Sequence, residues 1–213
     1  MKIVIVDDHD IVRSGLANLL ESQNRNYEII AMLESGEKAY HFLSKNDADL
    51  VLMDISMNGI SGIETARKIL KRNNQQKIII LTMHDNPIFI NQAFEIGVLG
   101  YLSKNKLTTD LFSAIESVRK NIKFISEDFQ SVLNYSTDDK LKTLTPREFE
   151  IFKFFINGST IDKIAEQLSI SKKTVSNNLA EVKSKLEISS DFELFKLGIK
   201  YKILDQAPFG ILE

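Results

Sequence analysis

Short, almost wholly apolar runs return five times in the first half of this chain: Ile3–Val6, Glu28–Met32, Leu50–Met53, Lys77–Leu81 and Leu99–Leu102. Each is too short for a helix, and amphipathic stretches of about ten to fifteen residues separate them. Ile3-Val4-Ile5-Val6 and Ile78-Ile79-Ile80-Leu81 lack the polar alternation of a strand with one wet face, so both their faces must be covered. Strands covered on both sides and alternating with helices are the signature of βαβ units around a parallel sheet. The pattern predicts a doubly wound α/β domain with five parallel strands over residues 1–120.

Beyond that the periodicity changes. Ser126–Leu133 reads as a short helix, and the polar, unpatterned Asn134–Lys140 reads as a linker, so 121–140 joins two domains. From 141 to 205 no strand signal returns, and four short helices are expected. Thr145-Pro146 opens one, Ser159 or Thr160 the next, Ser171 the third and Ser189 or Ser190 the last. Gly158 stops the first of them. The last, through about Lys202, places Phe192, Phe195 and Ile199 on one face. Residues 206–213 form a tail without a readable motif.

Charge divides in the same place. Residues 1–140 hold 16 basic and 19 acidic side chains and 141–205 hold 11 and 9, or −3 against +2. A net charge of −2 excludes a uniformly basic nucleic-acid coat protein, so any nucleic-acid contact must be local. The chain has no cysteine, which removes disulfides, thiolate zinc sites and cysteine nucleophiles together. The histidines (His9, His41, His84) are too far apart in sequence to suggest a ligand cluster. No apolar run approaches the ~18 residues of a membrane span, and Met1–Val6 runs into acids rather than a cleavage site, so a cytoplasmic protein is expected.

Open parallel sheets bind ligands at the carboxyl ends of their strands. There the sequence places Asp7-Asp8 after the first run, Asp54 after the third, Thr82 after the fourth and Lys104 after the fifth. Three carboxylates in one crevice resist ionisation unless a cation neutralises them, and Mg²⁺ suits an all-oxygen ligand set. One carboxylate can then act as nucleophile toward phosphorus while a hydroxyl and an ammonium stabilise the transferring group.

Asp7-Asp8, Leu52-Met53-Asp54, Leu81-Thr82 and Gly100-Tyr101-Leu102-Ser103-Lys104 resemble the receiver domain of bacterial two-component response regulators. The resemblance implies Asp54 as phosphoacceptor, Mg²⁺ bound by Asp7, Asp8, Asp54 and the Ser56 backbone carbonyl, Thr82 as switch hydroxyl, Tyr101 as switch aromatic and Lys104 as phosphoryl-binding lysine. It also implies a sensor histidine kinase as partner. One departure stands out: receivers usually carry proline four residues after the phosphoacceptor, where this chain has Asn58.

In the second domain, two helices separated by Ser169–Ser171, with small Ala165 in the first, describe a helix-turn-helix. Val175, Leu179, Val182 and Leu186 form the buried stripe of the second helix. Its opposite face carries Lys172, Lys173, Ser176, Asn177, Ala180 and Lys183, cations for phosphates and short polar groups for base edges. Leu144-Thr145-Pro146-Arg147-Glu148, Ile164-Ala165-Glu166-Gln167-Leu168 and Ser171-Lys172-Lys173-Thr174-Val175 resemble the LuxR-type helix-turn-helix, and Thr174 joins the DNA-facing set by that likeness. Together the halves resemble a NarL/FixJ-family response regulator. Lys173–Ser176 and Phe192-Glu193-Leu194 look most like its GacA/UvrY and BvgA branch. The resemblance implies a homodimer, at least when phosphorylated, on promoter DNA.

Two rivals follow from the same residues. An aspartate-nucleophile phosphohydrolase would also use Mg²⁺, but it needs a second acid two residues after the nucleophile, where this chain has Ser56. An adaptor or anti-terminator binding RNA would present aromatic stacking platforms, which the helix face lacks.

Overall fold

A computed structural model of the chain describes residues 1–22, 26–83, 87–130, 141–200 and 203, with Lys142 and Lys200 described by backbone alone. The expected linker at 134–140, His84, the end of the last helix at 201–202 and the tail lie outside the described residues. The chain divides into two units between residues 135 and 136.

The five apolar runs become β1 (Lys2–Val6), β2 (Glu28–Leu33), β3 (Leu50–Asp54), β4 (Lys77–Thr82) and β5 (Gly100–Ser103), every boundary within one residue of expectation. Between them lie α1 (Asp10–Ser22), α2 (Gly36–Leu43), α3 (Gly62–Arg72) and α4 (Pro87–Glu95), and α5 (Leu107–Arg119) follows β5. The sheet has six strands rather than five, because β6 (Phe124–Ile125) adds parallel to β5 with Gly100 opposite Phe124. Two residues are too few to show a periodicity. Nor does a helix begin at Ser126: this buried serine donates its N–H to the Tyr101 carbonyl at 3.1 Å, and its hydroxyl accepts from the Ser103 N–H at 3.1 Å. The helix that follows, α6, is Glu127–Gln130.

Ile3, Ile5, Leu50, Leu52, Ile79 and Leu81 share one core with residues of α1 and α5, such as Leu20 and Leu111. Their alternate neighbours, Val4, Val6, Val51, Met53, Ile78 and Ile80, are equally sealed, on the face where α3 packs on β3 and β4. Both faces are thus dry, as the unbroken apolar runs require. The strand order β2-β1-β3-β4-β5-β6 makes the chain leave β1 in opposite directions toward β2 and β3. A crevice opens at the carboxyl ends of β1 and β3, the place where such sheets bind ligands. Register brings the ends level: Val6 lies opposite Met53, Asp54 opposite Leu81 and Thr82 opposite Ser103.

The second unit contains α7 (Pro146–Ile156), α8 (Ile161–Gln167), α9 (Lys172–Leu186) and α10 (Asp191–Lys200). Thr145 forms a capping box with Glu148, Thr160 accepts from the Lys163 N–H at 3.3 Å, and Ser171 accepts from the Thr174 N–H at 3.0 Å. Of the two candidates before α10, Ser190 accepts the Glu193 N–H at 3.3 Å. Gly158, at φ 84°, ends α7 in the left-handed conformation that glycine tolerates. In α10 the inward residues are Leu194 and Gly198, while Phe192 and Ile199 are 67% and 63% exposed. Gly198 decides this, because a Cβ there would stand 2.6 Å from Ile156 Cδ1. Among the described residues no helix is long and apolar enough to cross a membrane.

Candidate functional site

Asp7 follows β1 directly and Asp54 closes β3; they are 0% and 2% exposed. Lys104, in the single 3-10 turn between β5 and α5, places its Nζ 2.7 Å from Asp7 Oδ2 and 2.8 Å from Asp54 Oδ1. Burial pushes the Asp54 carboxyl up to about 7 against the pull of the Lys104 ammonium, and the Asp7 and Asp8 carboxylates add to the rise. Burial alone would lower Lys104, but the carboxylates of Asp54 and Asp7 overcome it and hold the ammonium above its ordinary value. One cation facing three acids leaves the site short of positive charge.

Asp7, Asp8, His9 and Asp54 each bring a ligand atom within 4.8 Å of the others. His9 joins this group because it follows the two acids directly. Its Nδ1 lies 3.2 Å from Asp7 Oδ1 and 2.9 Å from Asp8 Oδ1. Asp8 Oδ1 is nonetheless buried without a properly directed hydrogen bond, and Ser56 Oγ is buried without any. Orphaned buried oxygens beside carboxylates in excess of cations fit a hard divalent ion.

Thr82 and Tyr101 are both fully buried. The Tyr101 ring stands edge-on to Phe129 at 5.5 Å between centroids and points inward. A cavity of about 760 Å³ opens alongside, lined by His9, Leu16, Met83, Lys104 and Thr108.

Two supporting residues escaped the sequence reading. Gly62 starts α3 hard against the end of β3, where a Cβ would come within 2.0 Å of the Asp54 carbonyl oxygen. A glycine after the capping Ser61 was a visible signal, but its neighbour across space was not. Asn58 donates its backbone N–H and its Nδ2 to Asp8 Oδ2, at 3.1 and 3.0 Å. Its identity was noted; its partner, 50 residues away in sequence, could not be.

In the second unit, α8 and α9 meet through buried Ala165, Leu168, Val175 and Leu179. Ser169, at φ 51°, turns the chain between them. Arg147 of α7 donates to the Leu168 carbonyl at 3.3 Å, and Lys185 of α9 places Nζ 2.7 Å from both carboxylate oxygens of Glu148. These contacts fix how α9 is presented. Lys172, Lys173, Ser176, Asn177 and Ala180 are exposed together on it, as expected. Two residues of the expected face are partly occupied. Thr174 is half-buried against the capping Ser171, their hydroxyls 2.8 Å apart, and Lys183 pairs with Asp191 at 2.7 Å. Lys172 pairs with Asp162 at 2.9 Å, but both are 68% exposed, so solvent screens the pair. Lys173 has no acidic partner among the described residues.

Comparison with known proteins agrees with both halves. Residues 3–116 match the family described as response regulator receiver domain, and residues 142–197 match the bacterial regulatory proteins of the luxR family. The chain is 34% identical to the response regulator UvrY of Escherichia coli K12 over 207 residues, covering 94% of each. It is 33% identical to the oxygen regulatory protein NreC of Staphylococcus haemolyticus, over 96% of this chain and 100% of that protein. Among solved structures, RcsB of Salmonella enterica serovar Typhimurium, bound to the promoter rprA with the phosphomimetic BeF3−, is similar with a TM-score of 0.61. The identity is 29%, and 92% of this chain and 97% of that one are covered.

Proposed function

The chain belongs to the response regulators that join a receiver domain to a DNA-binding domain of the luxR family, and from that premise we propose that Asp54 receives the phosphoryl group. Such proteins are transcriptional regulators rather than conventional enzymes. The observation that carries the assignment is the meeting of buried Asp54 with Lys104 and Asp7 at the sheet's switch point. The donor is a phosphohistidine on a sensor kinase. An Asp54 carboxylate oxygen attacks phosphorus, a P–O bond forms, the P–N bond breaks, and the imidazole leaves with the electron pair and is protonated from solvent. Asp7, Asp8, Asp54 and the Ser56 carbonyl would hold Mg²⁺, which when bound would supply the positive charge that the acids and the incoming phosphoryl group need. Lys104 is close enough to transfer its pairing from Asp54 to the new phosphoryl group, and the Thr82 hydroxyl supplies a donor at the end of β4. Reset is by water, whose oxygen forms a new bond to phosphorus as the P–O bond to Asp54 breaks, releasing orthophosphate and restoring the carboxylate.

Output runs through α9. Lys172, Lys173, Thr174 and Lys183 serve phosphates, while Ser176, Asn177 and Ala180 lie against base edges in the major groove. The likeness to an RcsB structure solved on promoter DNA supports duplex DNA as the partner. Phosphorylation favours a homodimer that reads two half-sites about 10 bp apart, or a multiple of that. The protein acts in the cytoplasm, where its kinase and promoters are reached. Selecting genomic fragments on the full chain with and without a phosphodonor tests this reading. Promoter fragments should be enriched, and more strongly with the donor; equal enrichment in both states would contradict phosphorylation control.

A further inference from the structure

Asn58 is exposed, yet it holds the half-buried Asp8 twice. Its backbone N–H and side-chain Nδ2 converge on one oxygen, Asp8 Oδ2, at 3.1 and 3.0 Å. The other oxygen of that carboxylate, Oδ1, is buried and lacks a directed hydrogen bond. Asp8 itself belongs to the group of acids whose ligand atoms lie within 4.8 Å of one another. A carboxylate pinned through one oxygen cannot rotate freely, so its second oxygen is presented in a fixed direction.

We propose that Asn58 is a positioning residue for the cation: it clasps Asp8 by Oδ2 so that Oδ1 is aimed at a divalent ion before the ion arrives. The proposal rests on the reading of the acidic group as a Mg²⁺ site. Hydrogen bonds to the far oxygen of a ligating carboxylate orient it, and losing such a partner typically weakens metal binding by roughly 10–100-fold. Alanine at 58 would keep the backbone donor and lose the amide. Proline would lose both, having no N–H and no polar side chain. An amide that competed with the cation for Asp8 would instead tighten metal binding when removed, so the sign of the effect decides.

The test is Mn²⁺ binding to the full chain, read from the resonance signal of the free ion, with Mg²⁺ as competitor. Asn58→Ala should raise the Mn²⁺ Kd by about tenfold, the lower end of that range because one donor survives, and Asn58→Pro should raise it further. Asn58→Gln, which keeps an amide donor, should recover part of the loss. In labelling by a small acyl phosphate, Asn58→Ala should shift the half-saturating Mg²⁺ concentration while leaving the rate at saturating Mg²⁺ within about twofold of the parent chain. A lowered saturating rate with unchanged half-saturation would make Asn58 a scaffold for its loop and overturn the proposal. So would Mn²⁺ affinity that is unchanged or tighter in Asn58→Ala while Asp8→Ala weakens it. Equal Mn²⁺ binding by the parent chain and Asp8→Ala would instead overturn the metal reading, and the clasp with it. Should Asn58→Pro fail to fold, the alanine and glutamine variants decide the matter.

Discussion

At the carboxyl edge of the sheet, Asp7, Asp54 and Thr82 are sealed from solvent, whereas Lys172, Lys173, Ser176, Asn177 and Ala180 on α9 all stand in it. The first group is mutually coupled. Lys104 serves two acids at once, and the carboxylates of Asp7 and Asp8 raise the cost of ionising Asp54. The second group is a set of exposed side chains on one helix face, which on the proposed reading act together only on DNA. Chemistry at phosphorus demands the first design, because a transferring dianion must meet fixed charges in a dry place. Reading a long polyanion allows the second, because each contact is exchanged against water and salt. The receiver site should therefore answer substitution cooperatively, and the helix face additively.

The largest effect should come from removing the shared cation. In metal-free buffer at pH 8, Lys104→Ala leaves buried acids uncompensated and should destabilise the chain by about 3 kcal/mol in urea denaturation. Adding Asp54→Asn should return a substantial part of that loss, on the order of 1 kcal/mol or more. By contrast, Lys172→Ala and Lys173→Ala should combine additively to within ~0.5 kcal/mol. Additivity at the receiver site would break the comparison.

A pH series sharpens it. The folded Asp54 carboxyl lies near 7, above the ordinary value of 3.8, so between those pH values the unfolded chain has released a proton that the folded chain keeps. Stability contributed by this group is thus lost as pH rises through that window, by at most about 1.4 kcal/mol per pH unit. Without metal, Asp54→Asn should melt above the parent chain at pH 8, and the gap should close as the pH falls toward 4. Mg²⁺ should shrink the gap at pH 8. A gap that is constant across the series would contradict the burial of an ionised Asp54.

Smaller effects are expected on α9. Asn177→Ala should cost on the order of 1–3 kcal/mol on a selected duplex and little on a scrambled one. Lys173→Ala should weaken both duplexes alike and reduce the salt slope by about one counterion. Lys183→Ala should change the slope less, since its ammonium must first leave Asp191. Binding series over salt concentration separate these outcomes.

How far the fold was legible follows from these contrasts. Unbroken apolar runs announce strands covered on both faces, and a charged or hydroxyl side chain at the carboxyl end of such a strand belongs to one edge of the sheet, so the sequence alone places Asp7, Asp54, Thr82 and Lys104 there. Helix caps at Thr145 and Ser171 were equally plain. What stayed hidden depended on neighbours distant in the chain. β6 is a pair of residues held by β5, and Gly62 matters only because the Asp54 carbonyl lies against it. Asn58 looked like a local irregularity until its amide met Asp8. The inward face of α10 carries Leu194 and Gly198, with Phe195 half-buried against Phe155, while Phe192 and Ile199 of the expected face stand in solvent.

The central claim is that Asp54 is the chemical centre of the receiver site and works through a divalent ion. Intact-mass analysis of the full chain after exposure to an acyl phosphate tests it most directly, comparing the parent chain with Mg²⁺, the parent chain in EDTA, and Asp54→Asn with Mg²⁺. One phosphoryl adduct, removable by hydroxylamine, should form in the first sample and in neither of the others. The same adduct at similar yield on Asp54→Asn, or on the parent chain in EDTA, would contradict the account.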